Sequence, residues 1–259
     1  MRMAALYDIH GNLPALEAVL EDVRRADVDQ IIVGGDILPG PMPRETLELL
    51  LGLEIPARFI YGNGELAVLA QIAAKDPSTV TYWGTTSGEP LPEPLRDVLR
   101  WTGEQLRTEH APLLHAWPGT LGFELPAIGR VLFCHATPRS ETEGFTRLTP
   151  EDRLLPVFQG LDGTVVVCGH THMQFDRMIG AMRVVNAGSV GMPFGRPGAD
   201  WLLIGNDIQL RHTSYNLEEA ADRVRATRYP QAEEFAAHSI LDPPSEDAML
   251  RAFTSISFQ

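Results

Sequence analysis

The chain has 259 residues, 44% of them hydrophobic, which is enough for a substantial core and argues against wholesale disorder. Its formal net charge of −13, from 34 acidic and 21 basic residues, repels polyanions and argues against long DNA or RNA as a partner. The apolar runs are far shorter than the ~20 residues that cross a bilayer, and two cysteines make no disulfide framework. We therefore expect a cytoplasmic protein without a signal peptide or membrane span, of unknown oligomeric state.

The first part of the chain alternates between short apolar runs and amphipathic segments. Strands are predicted at Met3–Tyr7, Ile31–Val33 and Arg58–Tyr61. Asn12 can cap a helix whose apolar face runs from Leu16 to Val23, and a second helix is predicted near Arg44–Leu51. This alternation predicts βαβ units and a largely parallel start to the sheet.

From about Leu66 to Pro118 the pattern changes. Two helical segments, Leu66–Ala74 and Pro94–Glu109, flank a loop of Gly, Thr and aromatic residues from Tyr82 to Gly88. We interpret residues 66–118 as a helical insertion into a single domain of residues 1–259. Two placements are open: beside the rim of the sheet, or as a helical pair on one of its faces, which we favour.

Strands return in the second half of the chain. They are predicted at Gly122–Leu125, Val131–Cys134, Val165–Cys168, Met182–Val185, Trp201–Ile204 and Ile208–His212. Turns at Gly129-Arg130 and Gly205-Asn206-Asp207 suit hairpins. Residues 213–259 should hold C-terminal helices at Leu217–Arg228 and Glu246–Phe253. Together these elements predict an α/β protein with two mixed sheets sandwiched between outer helices.

Residues of the kinds that bind divalent metals follow five of the predicted strands. They are Asp8, His10, Asp36, Asn63, His135, His170 and His172. In open α/β sheets ligands bind beyond the carboxyl ends of the strands, so these residues can converge on one edge. Alone, each has an ordinary explanation, such as a helix cap for Asp8 or a turn for Asn63. Together they predict a two-metal hydrolytic site, because imidazoles and carboxylates bind such ions and a carboxylate can bridge two.

The segments that hold these residues match a known pattern in order and approximate spacing. The segments are Asp8-Ile9-His10-Gly11-Asn12, Gly34-Gly35-Asp36, Gly62-Asn63-Gly64-Glu65, Cys134-His135 and Gly169-His170-Thr171-His172. They resemble the signature blocks of the calcineurin-like metallophosphoesterases. The segment Asn186–Gly191 resembles a further block of the small bacterial and archaeal phosphodiesterase branch of that family. The resemblance covers roughly residues 1–212 and implies a four-layer α/β/β/α sandwich.

The resemblance also implies a ligand set. Asp8, His10 and His172 would hold one ion, Asn63, His135 and His170 would hold the second, and Asp36 would bridge them. The metals expected from the family are manganese, iron, zinc or nickel. Paired cations lower the pKa of bound water towards ~7, and the resulting hydroxide would attack phosphorus in line. The predicted catalytic residues are therefore Asp36, Asn63 and His135.

The chain departs from the family pattern at Gly64. Many family members have a His there, which is credited with contacting the phosphate and protonating the leaving group. Loss of a positioned general acid costs about 10²–10⁴-fold for a poor leaving group. Gly64 therefore favours diesters or anhydrides, as in the small phosphodiesterase branch, over phosphomonoesters. His110, His115 and His212 are candidate substitutes for the missing proton donor, although structural roles are favoured for each.

Candidate contacts to the substrate lie close to the predicted ligands. Asn63, Thr137 and Arg139 are the main candidates, because an Arg suits bidentate phosphate binding; a surface ion pair is the alternative for Arg139. Arg196 is a further candidate. Tyr82 and Trp83 would stack a planar group if the insertion overhangs the site, with core or loop packing as the alternative.

The function predicted from these residues is that of a dinuclear metal-dependent phosphodiesterase acting on a small soluble phosphorylated substrate. A phosphomonoesterase and a dinucleoside polyphosphate hydrolase are the alternatives among enzymes. A non-catalytic binding scaffold with the same fold is the alternative from another class, and the complete ligand set argues against it.

Overall fold

The computed structural model of the protein describes residues 1–76, 80–81 and 90–255. The strands are β1 Met3–Leu6, β2 Gln30–Val33, β3 Ala57–Phe59, β4 Thr120–Leu125, β5 Gly129–Cys134, β6 Val165–Cys168, β7 Phe175–Ile179, β8 Met182–Asn186, β9 Ala199–Ile204 and β10 Ile208–Thr213. The helices are α1 Leu13–Arg25, α2 Pro43–Leu51, α3 Asn63–Ala73, α4 Glu93–Gln105, α5 His110–His115, α6 Glu151–Phe158, α7 Leu217–Arg225, α8 Ala232–Phe235 and α9 Glu246–Ser255. A π-helical turn, Ala236–Leu241, continues α8.

The strands form two mixed sheets, as predicted. The first has the order β10-β9-β1-β2-β3, with β1, β2 and β3 parallel and the β9–β10 hairpin antiparallel to β1. The second has the order β4-β5-β6-β8-β7, with β5, β6 and β8 parallel and antiparallel strands at both edges. The carboxyl ends of the parallel strands carry the residues on which the functional prediction depends.

Strand β1 shows how the layers are built, because its side chains alternate between two cores. Met3 and Ala5 point between the sheets and pack in one cluster with Phe133 and Val167 of the second sheet. Ala4 and Leu6 point outwards, into the core under α1. A strand that is buried on both faces needs a continuous apolar run, which explains the first strand signal in the sequence.

Helices cover the outer face of each sheet. Helices α1 to α5 contribute to the apolar cluster on the first sheet, for example through Leu16 and Val68. Helix α6 covers the second sheet, where Leu154 and Phe158 pack against Val184. The predicted four-layer α/β/β/α sandwich is therefore confirmed. No helix in the described ranges has both the length and the apolar character needed to span a bilayer.

Three helices lie in or overlap residues 66–118 as far as the structure describes them, and whether these residues are an insertion stays a prediction. Helices α3, α4 and α5 pack on the outer face of the first sheet, and α3 begins at Asn63, at the end of the sheet that carries the candidate ligands. The short helix α5 was not predicted. Tyr82, Trp83 and the rest of the predicted loop up to Gly88 lie outside the described residues.

The remaining differences have local causes. Helix α6 contains Pro156, a residue that removes a helical hydrogen bond and so argues against a helix in the sequence. Strand β7 was not predicted, because it is an edge strand that carries Asp176 and Arg177 and its sequence is too polar to indicate a strand. The predicted turn at Gly129-Arg130 was wrong: these residues begin β5, and the turn precedes them. The helix after Leu217 ends at Arg225, before the predicted end.

Candidate metal centre

The structure brings the seven predicted ligands to one end of the two sheets. Asp8 and His10 follow β1, Asp36 follows β2, Asn63 begins α3, His135 follows β5, and His170 and His172 follow β6. Six of them fall into two groups whose ligand-type atoms lie within 4.8 Å of one another. We call Asp8, His10 and His172 the first ligand group, and Asp36, His135 and His170 the second.

The backbone at these residues is unusual. Within the described ranges, the non-glycine residues with positive φ are Asp8 (53°), His10 (47°), Asp27 (52°), Asp36 (53°), His170 (66°) and His172 (57°). All but Asp27 are candidate ligands. The left-handed region is disfavoured for residues with a Cβ, and Asp and His tolerate it better than most. Backbone strain of this kind is typical of functional sites.

The loops after β1 and β2 hold each other in this conformation. The amides of Asp8 and His10 donate to the carbonyls of Gly35 (3.1 Å) and Asp36 (2.9 Å), and the Gly11 amide donates to Ile37 (2.8 Å). The ligands of two different strands are therefore fixed to a common backbone frame.

In the first ligand group, one candidate ligand atom from each of the three side chains lies close to the others. His10 Nε2 lies 3.2 Å from His172 Nε2, and His172 Nε2 lies 3.4 Å from Asp8 Oδ1. Asp8 Oδ2 accepts the His170 amide (2.8 Å), whereas Oδ1 is buried and has no hydrogen-bond partner among the described residues. A buried carboxylate oxygen without a donor is costly unless a cation accompanies it. The donor set and its spacing fit a divalent ion.

Two of the imidazoles are oriented by backbone carbonyls. His172 Nδ1 lies 2.9 Å from the Met192 carbonyl, and His135 Nδ1 lies 2.9 Å from the Gly34 carbonyl. When Nδ1–H donates to a carbonyl, the Nε2 lone pair is directed into the site, which is the arrangement that metal-binding histidines use. His135 Nε2 also lies 2.9 Å from Asn63 Oδ1, so Asn63 adjoins the second ligand group.

Asp36 belongs to the second ligand group but also lies near the first. Its Oδ2 is 3.8 Å from His10 Nε2 of the first group, and its Oδ1 is 3.5 Å from His135 Nε2 of the second. Asp8 Oδ1 also lies 3.9 Å from His135 Nε2, so both carboxylates contribute charge to the space between the groups.

The ionisable side chains of the second group shift one another's pKa values. Burial alone would raise the pKa of Asp36, but the charges of His135 and His10 hold it well below its usual range. Burial alone would lower the pKa of His135, but Asp36 and Asp8 raise it to about 10. Burial, reinforced by the charge of His135, lowers the pKa of His170 to about 4.

These values predict that metal binding releases protons. At pH 7 the metal-free protein holds a proton on His135, which a metal ion at the second ligand group must displace. Since the pKa of His135 lies near 10, the apparent affinity should rise about tenfold per pH unit between about pH 7 and 9. Calorimetric titration with Zn²⁺ in two buffers of different ionisation enthalpy measures the released protons directly. Binding whose heat is the same in both buffers would contradict this assignment.

Glu65, for which the sequence suggested no role, connects the backbone segments around the site. Its buried carboxylate accepts the backbone amides of Gly62 (2.8 Å), Asp36 (2.9 Å) and Leu38 (3.0 Å). Burial and the charge of Asp36 raise the pKa of Glu65 to about 7. The missed signal was its place at the third position of α3, from which a Glu reaches back to the amide before the helix.

The segment Asn186–Gly191 also supports the ligands. Asn186 Nδ2 donates to the Gly169 carbonyl (2.6 Å) and to Thr171 Oγ1 (3.1 Å), which fixes the loop of His170 and His172. Ser189 Oγ donates to the Asp8 carbonyl (2.7 Å). The sixth segment of the sequence pattern therefore connects the loops of both sheets.

The structure explains why position 64 is a glycine. A Cβ at Gly64 would lie 2.0 Å from the Leu38 carbonyl oxygen, so the loop after Asp36 fills the space that a side chain needs. The Gly64 amide donates to Asp36 Oδ1 (2.7 Å). Two of the histidines considered as replacements for the missing proton donor have carboxylate partners of their own. His212 Nδ1 is 2.7 Å from Asp200 Oδ1, and buried His110 faces Glu48.

Thr137 and Arg139 lie in the turn after His135, where both contact Glu143. The Arg139 guanidinium pairs with the Glu143 carboxylate, with Nε 2.9 Å from Oε1, and Thr137 Oγ1 donates to Oε2 (2.7 Å). The surface ion pair that was the alternative for Arg139 is therefore present. Arg196 lies in the loop after Asn186–Gly191, 3.6 Å from Asp200.

A protein family, a curated sequence and solved structures are similar to this chain. The calcineurin-like phosphoesterase superfamily domain matches residues 1–204. An uncharacterized protein of Methanocaldococcus jannaschii is 24% identical over 249 residues, which cover 88% of this chain and 94% of that protein. The crystal structure of a hypothetical protein of Pyrococcus horikoshii matches with a TM-score of 0.77 and 21% identity, covering 94% of this chain and 99% of that one.

A metallophosphoesterase of Sphaerobacter thermophilus matches with a TM-score of 0.68 and 23% identity, covering 92% of this chain and 98% of its own. At these identities the two solved structures establish similarity of fold. The family match, which spans most of the chain, establishes membership. The protein belongs to the calcineurin-like phosphoesterase superfamily of metal-dependent phosphoester hydrolases.

Proposed function

We propose that the protein is a phosphodiesterase that uses two divalent ions to hydrolyse a small, soluble phosphorylated substrate. One observation carries the proposal: the two carboxylate oxygens of Asp36 face histidines of different ligand groups, His10 at 3.8 Å and His135 at 3.5 Å. A carboxylate in that position can share its oxygens between two cations.

The proposed ligands are those implied by the family pattern. Asp8, His10 and His172 would hold one ion, Asn63, His135 and His170 the other, and Asp36 both. Ligands at about 2.0–2.2 Å from a metal lie roughly 3.0–3.5 Å from one another, and the His10–His172 and His172–Asp8 separations of 3.2 and 3.4 Å fit that range. The mixture of nitrogen and oxygen donors suits manganese, iron, zinc or nickel.

When bound, paired divalent ions supply an acidified water and positive charge for the phosphoryl oxygens. The protein's own residues orient the ligand side chains and the substrate. Asn63 Oδ1 faces His135, while its Nδ2 donates to no group among the described residues and can therefore donate to a phosphoryl oxygen. Gly34 and Met192 hold the imidazoles of His135 and His172 through their carbonyls.

The lack of room for a side chain at position 64 supports a diester as the substrate. Because the Leu38 carbonyl fills the space beside Gly64, no side chain there can protonate a leaving group. A poor leaving group therefore departs slowly, which disfavours ordinary phosphomonoesters. The acidic character of the chain, with a net charge of −13, also disfavours the highly charged dinucleoside polyphosphates.

The test compares three substrates on protein loaded in turn with manganese, iron, zinc and nickel. We expect kcat/KM for bis(p-nitrophenyl) phosphate to exceed that for an alkyl phosphomonoester such as glycerol 2-phosphate, whose alkoxide is a poor leaving group, and for a dinucleoside polyphosphate by at least about tenfold. Elemental analysis should find two ions per chain in the active form. Absence of turnover in a fully loaded protein would refute the enzyme, and preference for the monoester would refute the phosphodiesterase.

A further inference from the structure

The loop of residues 191–195 fixes the imidazole of His172 in two ways. The Met192 carbonyl accepts a hydrogen bond from Nδ1 (2.9 Å), which sets the direction of the ring within its own plane. The Phe194 ring stacks on the imidazole, with 5.3 Å between centroids and 21° between planes, which sets the orientation of that plane. Together these contacts direct Nε2 towards the other two side chains of the first ligand group.

Two further contacts attach the same loop to the C-terminal segment. The Met192 side chain packs on an apolar cluster that we call the C-terminal cluster. Its buried members are Val98 of α4 together with Ala220, Ala221, Val224, Tyr229, Phe235, Ala236 and Ile240. The Gly195 amide donates to the Pro244 carbonyl (2.9 Å), shortly before α9. The attachments lie on either side of Phe194, so both groups that orient His172 depend on the C-terminal segment.

The second ligand group is fixed from within the sheets. His135 Nδ1 donates to the Gly34 carbonyl (2.9 Å), directly after β2. The Gly34 amide donates in turn to the Leu6 carbonyl of β1 (2.8 Å). A disturbance of the C-terminal cluster should therefore reach the first ligand group and spare the second.

We propose that the C-terminal helices position His172, so that the metal affinity of the first ligand group depends on how these helices pack. They act through Met192 and are therefore a positioning element of the site. Helices α7 to α9 lie beyond residues 1–204, which the family domain matches. The inference rests on the metal centre of the proposed function, and it holds for a diester and a monoester substrate alike.

The first test is Met192→Ala, which removes the side chain that reaches the C-terminal cluster and keeps the carbonyl that His172 needs. We expect the Zn²⁺ affinity of the first ligand group to fall by about tenfold or more, and that of the second to change less than about twofold. Met192→Leu, which restores the apolar bulk, should restore the affinity. Zn²⁺ titrations followed by the ring ¹⁵N resonances of His172 and His135 measure the two groups separately.

Matched truncations separate positioning from a general loss of stability. Ile240→Ala alters the C-terminal cluster itself and should weaken the first ligand group as Met192→Ala does. Ile179→Ala and Met182→Ala remove similar buried side chains from the core under α6, at the end of β8 far from the ligands, and should alter neither affinity. Equal weakening of both ligand groups by Met192→Ala, or equal effects of Ile240→Ala and Ile179→Ala, would overturn the inference.

The metal-free protein supplies a readout that requires neither metal nor substrate. The Nδ1–H of His172 is held by Met192 and that of His135 by Gly34, so both should give ¹H–¹⁵N correlations protected from exchange. Met192→Ala should abolish the His172 correlation and keep that of His135. An unchanged His172 correlation would contradict the inference. A parent protein that binds no metal would refute the proposed function, and these spectra would still decide how His172 is positioned.

Discussion

Asp36→Asn should lower kcat/KM by at least about 10²-fold and reduce the metal content of both ligand groups together. The amide keeps the size of the carboxylate but removes its charge and one of its two acceptor oxygens. Those oxygens face His10 and His135, so a single substitution affects both groups. Elemental analysis and steady-state kinetics on the diester measure the two effects separately.

Two comparison variants make this result specific. Asp162→Asn changes an exposed carboxylate that pairs with Arg130 at the opposite end of the second sheet, and should alter neither metal content nor rate. Arg139→Ala should leave the metal content intact, and a raised KM in this variant would indicate that Arg139 leaves Glu143 to contact the phosphate. Full metal content and full rate in Asp36→Asn would show that Asp36 does not bridge.

Gly64→Ala should destabilise the protein by about 1–3 kcal/mol and depress diester hydrolysis, because the new methyl group has no room. It would lie 2.0 Å from the Leu38 carbonyl oxygen and 3.0 Å from Asp36 Oδ1. The Leu38 backbone cannot yield freely, since its amide is held by Glu65 (3.0 Å). Urea unfolding and the rate on bis(p-nitrophenyl) phosphate measure the two consequences.

Gly122→Ala is the matched control, because a Cβ at Gly122 meets nothing closer than Arg130 Nε at 3.9 Å. It should be close to neutral for both stability and rate. Gly64→His, which restores the common family residue, should be more damaging than Gly64→Ala and should not create a phosphomonoesterase. A folded Gly64→His variant that hydrolyses p-nitrophenyl phosphate faster than the parent protein would refute the steric explanation.

The positions of the candidate ligands could be predicted because they follow from a rule about strands. Each apolar run ends at a parallel strand's carboxyl end, and such ends meet at one edge. Asp8 and His170 are 162 residues apart in the chain, yet the His170 amide donates to Asp8 Oδ2. The contact requires that β1 and β6 lie opposite each other in the sandwich, where their side chains share one apolar cluster.

Features that depend on the path of a single loop could not be predicted in this way. Nothing in the sequence indicates that the Leu38 carbonyl closes position 64, or that Glu143 pairs with Arg139. The hydrogen bond from the Gly195 amide to the Pro244 carbonyl likewise requires a loop to meet a segment much further along the chain. Such contacts depend on tertiary packing, whereas strand and helix periodicity reports only local structure.

The left-handed backbone of five candidate ligands bears on redesign of the centre. Asp, Asn and His share a tolerance for this conformation, whereas β-branched residues do not. Exchanges among these three types at Asp8, His10, Asp36, His170 and His172 therefore keep residues that tolerate the left-handed conformation while changing the donor atoms. The loops form a scaffold on which the balance of nitrogen and oxygen donors can be varied, and with it the choice of metal.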